Sequence, residues 1–217
     1  MQRYIVEGGN ALQGEVEISG AKNAVLPILA ATVLGQGKSR IKRVPDLRDV
    51  RVMKEVLREL GAEVSDNAHA LIVDTAKLNS CQISPKLMQK MRATVFLMGP
   101  LLARFGRVDL CQPGGCNIGA RPIDLHLKGL RALGVEFEEE DGCLTGTVDK
   151  MKGAEIHLDF PSVGATENIM MAATLAQGQT IISNVAKEPE IVDLQNFLNR
   201  LGAEIKGAGT DIIKIQG

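Results

Sequence analysis

A short pattern that occurs three times along the chain constrains its fold more than any other feature. The sequence reads Leu-Gly-Ala-Glu-Val at 60–64, Leu-Gly-Val-Glu-Phe at 133–137 and Leu-Gly-Ala-Glu-Ile at 201–205. An earlier glycine precedes each copy at a similar spacing, namely Gly37, Gly106 and Gly178. Self-similarity at a nearly constant period is the signature of repeated structural units. We therefore expect three similar units within the 217 residues of the chain.

Each unit reads as a helix, a strand, a second helix and a two-stranded hairpin. Glycine is expected to end the helices, because it readily adopts the left-handed conformation found just after many of them. The predicted helices cover 22–34, 47–60, 86–104, 122–133 and 164–176. The predicted strands cover 4–6, 15–18, 38–44, 62–66, 70–75, 106–111, 154–159 and 179–185. The pattern predicts an α/β (α+β) fold, with units of about 20–84, 85–153 and 154–217 after a lead of residues 1–19.

Charge balance and the scarcity of aromatic residues exclude broad classes of function. The chain has 25 basic and 26 acidic residues, a net charge of −1 and no tryptophan. Binding to nucleic acid through its phosphates needs a basic excess, and binding to single strands needs aromatic stacking platforms. The longest apolar stretches, 24–34 and 93–103, are too short to span a bilayer, and the N-terminus lacks the apolar core of a signal peptide. We expect a cytoplasmic protein that binds neither nucleic acid nor membrane.

The cysteines and histidines show no metal-binding pattern. The four cysteines form no CxxC pair, and the three histidines are scattered. We therefore expect neither a metal site nor a disulfide framework. Cys81, Cys111 and Cys143 are expected to be small buried hydrophobic residues, and His126 is expected to be structural.

The segment 112–125 concentrates features of a reactive loop. Cys116 follows two glycines that keep the backbone open, and Arg121 immediately precedes Pro122 at the start of a predicted helix. A cation and a helix N-terminus near a thiol favour the thiolate, which is the nucleophilic form. This predicts that Cys116 is the reactive thiol of the chain. The alternative is an ordinary glycine-rich turn with an inert cysteine.

Comparable helix starts in the three units carry further candidate residues. Lys22 and Asn23 begin an apolar helix, where a lysine is unfavourable unless an anion is shared. Arg92 lies in an apolar helix and needs a carboxylate of the protein or of a ligand. In the third unit Ser162 offers a hydroxyl, which could equally be a helix N-cap alone.

If the repeats bring these helix starts together, the three cations Lys22, Arg92 and Arg121 converge with no obvious acidic neighbour. They suggest a small polyanion that carries phosphate and carboxylate groups. The alternative for Lys22 is a solvated lysine with a packed stem. The acids near these positions are expected to stabilise helix N-termini rather than to act as catalysts; they are Asp49, Glu188 and Glu190.

Several motifs together resemble one enzyme family. The segment PGGCNIGARPIDLH at 113–126 closely resembles the active-site loop of the UDP-N-acetylglucosamine enolpyruvyl transferases, also called carboxyvinyltransferases. The resemblance extends along the whole chain through SGAKNAVLPILAA, VPDLRDV, MRATVFLMGPLLARFG, SVGATENIMMAATLA and EPEIVDLQNFLNRLGAEI. It implies that residues 20–217 form the cysteine-loop lobe of an inside-out barrel, and that residues 1–19 belong with a second lobe.

The resemblance also implies a reaction without metal or cofactor. The family transfers the enolpyruvyl group of phosphoenolpyruvate to the 3-hydroxyl of UDP-N-acetylglucosamine and releases phosphate, the first committed step of peptidoglycan synthesis. Cys116 matches the cysteine that donates a proton, forms an adduct with phosphoenolpyruvate and is alkylated by fosfomycin. The residues that match phosphoenolpyruvate contacts are Lys22, Asn23, Arg92 and Arg121. Those that match contacts to the nucleotide sugar are Asn23, Arg92, Arg121, Pro122, Ile123, Asp124, Leu125, Ser162, Val163 and Gly164.

The chain departs from the family in two respects. Phe160 and Pro161 stand where some relatives carry a lysine just before the Ser-Val-Gly loop. The family's chain is also about twice as long, and the aspartate that handles the sugar hydroxyl lies in its second half. Two hypotheses follow: an N-terminal, cysteine-bearing portion of the transferase that is inactive alone, or a truncated non-catalytic paralogue that binds an anionic ligand or a partner.

Overall fold

The computed structural model describes residues 3–9, 11, 13–67, 70–111, 123–140 and 142–217, without the side chains of Arg92, Ala93 and Cys111. The helices are α1 (Lys22–Ala31), α2 (Arg48–Glu59), α3 (Pro85–Lys90), α4 (Met98–Phe105), α5 (Asp124–Ala132), α6 (Val163–Ala173) and α7 (Pro189–Arg200). The strands are β1 (Lys38–Lys42), β2 (Glu63–Asn67), β3 (Ala70–Asp74), β4 (Arg107–Cys111), β5 (Glu136–Glu140), β6 (Cys143–Thr147), β7 (Glu155–His157), β8 (Gln179–Ser183), β9 (Glu204–Lys206) and β10 (Ile212–Gln216).

Each predicted unit contributes one sheet. The strand orders are β1-β3-β2, β4-β6-β5 and β7-β8-β10-β9, and all pairs are antiparallel except β7 with β8. The shared register is visible in the first sheet, where Val73 lies opposite Ser39 on β1 and Val64 on β2. The mixed helix and sheet content agrees with the predicted fold class.

The helices that come first in the units form the centre of the molecule. Nine of the eleven residues of α6 are buried, and α1 buries residues over more than half of its length. Helix α6 packs against α4, α5 and α7, and α1 packs against α7 and α2. A helix that is apolar on nearly every face must be enclosed by other elements. The amphipathic helix α2 instead turns Met53, Val56 and Leu57 inward and keeps charged residues outside.

The recurring Leu-Gly pairs end helices as predicted. Leu60, Leu133 and Leu201 are the C-cap residues of α2, α5 and α7. The glycines that follow have φ values of +101°, +99° and +107°, a region that side chains disfavour. The amide of Gly61 donates to the Arg58 carbonyl and so caps the last turn of α2. The repeat therefore marks the passage from the outer helix to the hairpin.

Three predicted elements are wrong. The helix predicted over 86–104 is broken at Met91, whose extended backbone (φ −151°, ψ 126°) separates α3 from a 3₁₀ helix at Arg92–Leu97 and then α4. The segments 4–6 and 15–18 form no strands. They have no neighbouring strand to pair with among the described residues, and a strand needs such a partner for its backbone hydrogen bonds.

The lead before α1 makes few contacts with the rest of the chain. Its described residues are exposed up to Ser19, and the apolar side chains of Tyr4, Ile5 and Val16 are 94, 87 and 83% exposed. The apolar side chains of the lead are therefore left uncovered by the three units.

One cysteine differs from its prediction. Cys143 is bonded in a disulfide, whereas the sequence analysis predicted no disulfide in this chain. It lies on β6 directly opposite Cys111 of β4 in the sheet register. Cys81 is free and only partly buried. None of the described helices is long and apolar enough to cross a bilayer.

Candidate functional site

The N-termini of α1, α2 and α7 meet at one end of the molecule. Lys22, the first residue of α1, forms an ion pair with Asp49 in the first turn of α2. The next residue, Asn23, donates its side-chain amide to Oε1 of Glu190 in the first turn of α7, at 3.4 Å. Acidic residues stabilise the positive ends of helices. Asp49 and Glu190 lie in the first turns of their helices, as the sequence analysis predicted.

The expectation that Lys22 has no acidic neighbour is wrong. Asp49 is close to it because α2 packs beside α1, a tertiary contact that joins residues far apart in sequence. The side chains of Lys22 and Asp49 are 51 and 27% exposed. Exposed ion pairs are weak because water competes for both charges. An anionic ligand can therefore draw Lys22 away from Asp49 at a small cost in free energy.

The core of the predicted reactive loop lies outside the described residues. This applies to Cys116, Arg121 and Pro122. The backbone of Arg92 is described, and it begins the 3₁₀ helix directly after the extended residue Met91. This helix packs against α1, α2 and α6.

The remaining predicted contact residues occupy two neighbouring helix starts. Ile123, Asp124 and Leu125 lead into α5, and Asp124 is exposed in its first turn. Ser162 is the N-cap of α6, and its hydroxyl accepts a hydrogen bond from the amide of Ala165 at 3.4 Å. Ser162 therefore caps α6.

The two helix starts touch through His126. A Cβ built on Gly164 would lie 3.1 Å from Cε1 and 3.2 Å from Nε2 of His126. The ring of His126 is therefore in close contact with the backbone of the Ser162–Gly164 segment. The structure brings together Ile123–Leu125 and Ser162–Gly164, and it separately brings Lys22 and Asn23 to the acids of α2 and α7.

A buried carboxyl that the sequence analysis missed lies between these two groups of residues. Glu167 on α6 is 1% exposed, and neither of its carboxylate oxygens accepts a hydrogen bond from the described residues. Burial, together with the negative charges of Glu190 and Glu188, raises the pKa of Glu167 to about 8. At neutral pH this carboxyl is mostly protonated. Its signal in the sequence was a lone charge within the apolar run of α6, the same signal that singled out Arg92.

Other concave surfaces do not include the predicted residues. Two grooves of about 530 and 540 Å³ lie beside β6, the first near Gly134 and Lys152 and the second near Glu59 and Asp109. Neither is lined by a residue predicted to contact substrate. Among the described residues, no three His, Cys, Asp or Glu side chains lie close enough together to hold a metal ion.

Comparison with known proteins places this arrangement in a family. Residues 6–217 match the EPSP synthase family, described as 3-phosphoshikimate 1-carboxyvinyltransferase. The chain belongs to the EPSP synthase family. Its fold also matches the enolpyruvyl transferase NikO from Streptomyces tendae, with a TM-score of 0.83 at 24% identity over 97% of this chain and 50% of that one. An EPSP synthase from Acinetobacter baumannii matches with a TM-score of 0.75 at 20% identity, over 97% of this chain and 49% of that one.

Curated members of the family share more than half of the residues of this chain. Two proteins of Carboxydothermus hydrogenoformans, UDP-N-acetylglucosamine 1-carboxyvinyltransferases 2 and 1, are 55 and 54% identical over 217 residues. UDP-N-acetylglucosamine 1-carboxyvinyltransferase 1 of Symbiobacterium thermophilum is 54% identical over 222 residues. All three alignments cover 100% of this chain and 50 to 52% of the relative. The chain thus spans about half the length of the curated relatives it matches.

Selective alkylation tests the prediction that Cys116 is the reactive thiol. We expect iodoacetamide to modify Cys116 faster than Cys81 in the folded chain, because the predicted loop is open and has Arg121 and a helix start nearby. Peptide mapping after limited alkylation across a pH series measures the rates, and a parallel series with a disulfide reductant includes Cys143. Equal rates at Cys81 and Cys116 would show that the loop confers no special reactivity.

Proposed function

We propose that this chain supplies the cysteine-bearing lobe of a UDP-N-acetylglucosamine 1-carboxyvinyltransferase. The observation that carries the proposal is the 55% identity to such an enzyme over all 217 residues. In the reaction the 3-hydroxyl oxygen of the sugar attacks C2 of phosphoenolpyruvate while C3 gains a proton. Loss of phosphate and of a proton from C3 then restores the double bond in the product.

We further propose roles for the residues named above. Lys22, Asn23, Arg92 and Arg121 bind phosphoenolpyruvate, and Cys116 delivers the proton to C3. The exposed pair of Lys22 with Asp49 supports the first role, because the lysine is held at the site and remains available to an anion. The nucleotide sugar contacts Asn23, Arg92, Arg121, Pro122, Ile123, Asp124, Leu125, Ser162, Val163 and Gly164.

The proposed function implies a cellular setting and an arrangement of domains. We propose a cytoplasmic enzyme of peptidoglycan synthesis that acts on small molecules, is inhibited by fosfomycin and supports cell shape and division. We also propose that residues 1–19 pack against a second lobe, because apolar side chains such as Tyr4 and Ile5 are exposed in this one. A site between two lobes excludes water better than one open lobe, and so strengthens every charge interaction with substrate.

A chimera tests the proposed function directly. In it, this chain replaces the matching 217 residues of UDP-N-acetylglucosamine 1-carboxyvinyltransferase 2 of Carboxydothermus hydrogenoformans. We expect the chimera to release phosphate only when phosphoenolpyruvate and UDP-N-acetylglucosamine are both present. The 217-residue chain alone is expected to show no turnover, because one lobe supplies only part of the acid–base and electrostatic groups.

The Cys116→Ser chimera serves as the matched variant. Its phosphate release should fall about tenfold or more, because general acid catalysis contributes at least that factor. Circular dichroism and gel filtration confirm that both chimeras fold. A folded chimera without activity would refute the proposed function, and undiminished activity of Cys116→Ser would refute the role of the cysteine.

A further inference from the structure

We propose that Asn168 and His126 form a buried positioning pair that sets the spacing between the starts of α5 and α6. The inference deepens the proposed function and rests on it for its functional consequence, since these two helix starts carry the proposed contacts to the nucleotide sugar. The pair touches no substrate. It acts by fixing the backbone on which Ile123–Leu125 and Ser162–Gly164 are presented.

Asn168 connects three elements through one side chain. It lies on α6 with no exposed surface. Its Oδ1 accepts a hydrogen bond from the amide of Gly99 on α4 at 2.8 Å, and its Nδ2 donates to the carbonyl of Val95 in the 3₁₀ helix at 3.1 Å. That 3₁₀ helix begins at Arg92. The amide thus attaches α6 to the segment that carries one of the predicted cations.

The second proton of the Asn168 amide is directed at His126. Nδ2 of Asn168 lies 3.0 Å from Nδ1 of His126 on α5. The amide of Gly99 requires an acceptor, which assigns the oxygen of the Asn168 side chain and leaves Nδ2 facing the ring. Nδ2 can only donate, so Nδ1 of His126 accepts and the proton of the neutral ring lies on Nε2. This bond joins the Asn168 side chain, which the bonds to Gly99 and Val95 already orient, to the ring of His126.

The ring in turn rests on the start of α6. Gly164 has no side chain, and a Cβ there would lie 3.1 Å from Cε1 of His126. The carbonyl of Gly164 also lies 3.5 Å from Nδ2 of Asn168. A Cβ on Gly99 would meet the backbone oxygen of Asn168 at 2.3 Å, so α4 and α6 are in backbone contact at this point. Such close approach leaves little room for the segments to shift without breaking these bonds.

The polar side chains of Asn168 and His126 are better suited to orienting neighbouring helices than to stabilising the core. A leucine at position 168 would fill the same volume with apolar contacts and no directional bond. Three directional hydrogen bonds instead fix the distances between α4, α5 and α6, which is what a binding site built from three segments requires. His126 is two residues beyond Asp124 and Gly164 is two residues beyond Ser162, so a displacement at the pair passes directly to the proposed contact residues.

Paired variants of His126 separate positioning from simple core packing. His126→Leu removes the acceptor, whereas His126→Asn retains a side-chain acceptor close to the position of Nδ1. Asn199→Ala is the control, because it removes two hydrogen bonds of 2.9 Å to Ile205 in the third sheet, away from the two helix starts. Amide hydrogen exchange of the 217-residue chain is measured for each variant, together with its unfolding in denaturant.

We expect His126→Leu to raise exchange rates about tenfold at Leu125–Leu127 and Val163–Ala165, with a smaller change elsewhere, because the buried hydrogen bond to Asn168 is lost. His126→Asn should restore most of the protection, and Asn199→Ala should raise exchange near β9 alone. If His126→Leu raises exchange evenly over the chain, or if His126→Asn behaves like His126→Leu, the positioning role is overturned.

Binding of UDP-N-acetylglucosamine supplies the second readout and separates this inference from the proposed function. In the chimera, calorimetry should show affinity reduced about tenfold in His126→Leu and nearly restored in His126→Asn. If the unmodified chimera folds but binds no nucleotide sugar, the proposed function fails, while the exchange pattern still decides the inference. If the chimera binds and His126→Leu binds equally well, the inference fails and the proposed function stands.

Discussion

Glu167→Gln is expected to stabilise the folded chain progressively as the pH rises from 5 to 8. Glu167 is 1% exposed, its two oxygens have no hydrogen-bond partner in the described part of the chain, and its pKa is raised from 4.5 to about 8. The folded state therefore holds a proton that the unfolded state releases above pH 4.5. Stability of the parent chain falls across this interval by about 1.4 kcal/mol per pH unit, since the unfolded state binds fewer protons.

The size of the effect follows from the same linkage. Below pH 4.5 the carboxyl is protonated in both states and contributes no pH dependence. Above pH 8 it is ionised in both states, and the full penalty of the buried charge, on the order of 5 kcal/mol, opposes folding. Glutamine removes this charge, so the difference in unfolding free energy between Glu167→Gln and the parent should grow by that amount.

Denaturant unfolding at several pH values between 5 and 8.5 measures this difference. The free-energy cost of burying a glutamine amide is the same at every pH. It therefore cancels when the difference in unfolding free energy between variant and parent at one pH is subtracted from that at another. Glu138→Gln, on the exposed strand β5, controls for the loss of one negative charge from the chain. A difference for Glu167→Gln that stays flat from pH 5 to 8.5 would show that the carboxyl gains a partner or water in solution.

Arg104→Met is expected to lower the free energy of unfolding by about 3 kcal/mol. Arg104 on α4 donates from Nη1 to the carbonyls of Val33 and Gly35, at 2.7 and 2.6 Å, and from Nη2 to the carbonyl of Thr75 at 3.0 Å. It thereby joins the first unit to the second. Hydrogen bonds from a charged donor contribute about 1.5–3 kcal/mol. Removal takes one donor from each of three carbonyls, although that of Gly35 keeps the Thr75 hydroxyl and that of Thr75 keeps the Leu78 amide.

The charge and planar shape of the guanidinium group predict the order of stability among variants of Arg104. Burial lowers the pKa of Arg104. Because its described acceptors are neutral carbonyls, Arg104 stabilises the fold through the geometry of its hydrogen bonds rather than through an ion pair. Arg104→Lys keeps the charge but lacks the planar fork that reaches three oxygens, so its stability should lie between those of Arg104→Met and the parent.

Arg51→Met is the matched control for this series. Arg51 forms a two-bond contact with Asp46, but their side chains are 65 and 77% exposed. Exposed ion pairs contribute under about 1 kcal/mol, so Arg51→Met should be nearly neutral. Chemical denaturation measures all three variants. If Arg104→Met and Arg51→Met prove equally mild, then water satisfies the carbonyls that Arg104 serves in the structure.

The parts of the fold that repeat were predictable from sequence, because local rules act on them. The Leu-Gly pairs mark helix ends, and Gly61, Gly134 and Gly202 adopt the positive φ that this requires. The break at Met91 was missed because no glycine or proline marks it, and an apolar run alone cannot distinguish one helix from two. The predicted strands in the lead failed for another reason, since a strand also needs a neighbouring strand.

The candidate site was predictable only where it consists of contiguous residues. The start of α6 could be read directly, and Ser162 caps it. The partner of Lys22 could not, because Asp49 reaches it through helix packing between distant segments. Asn168 was missed for the same reason, since the Val95 and Gly99 groups that it binds are about seventy residues away along the chain. Sequence patterns identify chemical groups, whereas tertiary packing decides which of them meet.

The outermost strands of two of the three sheets bear on how the chain behaves at high protein concentration. Strands β2 and β5 each lie at the edge of a sheet, and exposed carboxylates recur along them, four of them on β5 alone. An open edge invites pairing with the same edge of another molecule, and like charges oppose that approach. Added salt shortens the range of this repulsion from about 10 Å at 0.1 M to about 3 Å at 1 M. Colloidal stability of the chain should therefore be greatest in dilute buffer, and concentrated salt should favour sheets that join edge to edge.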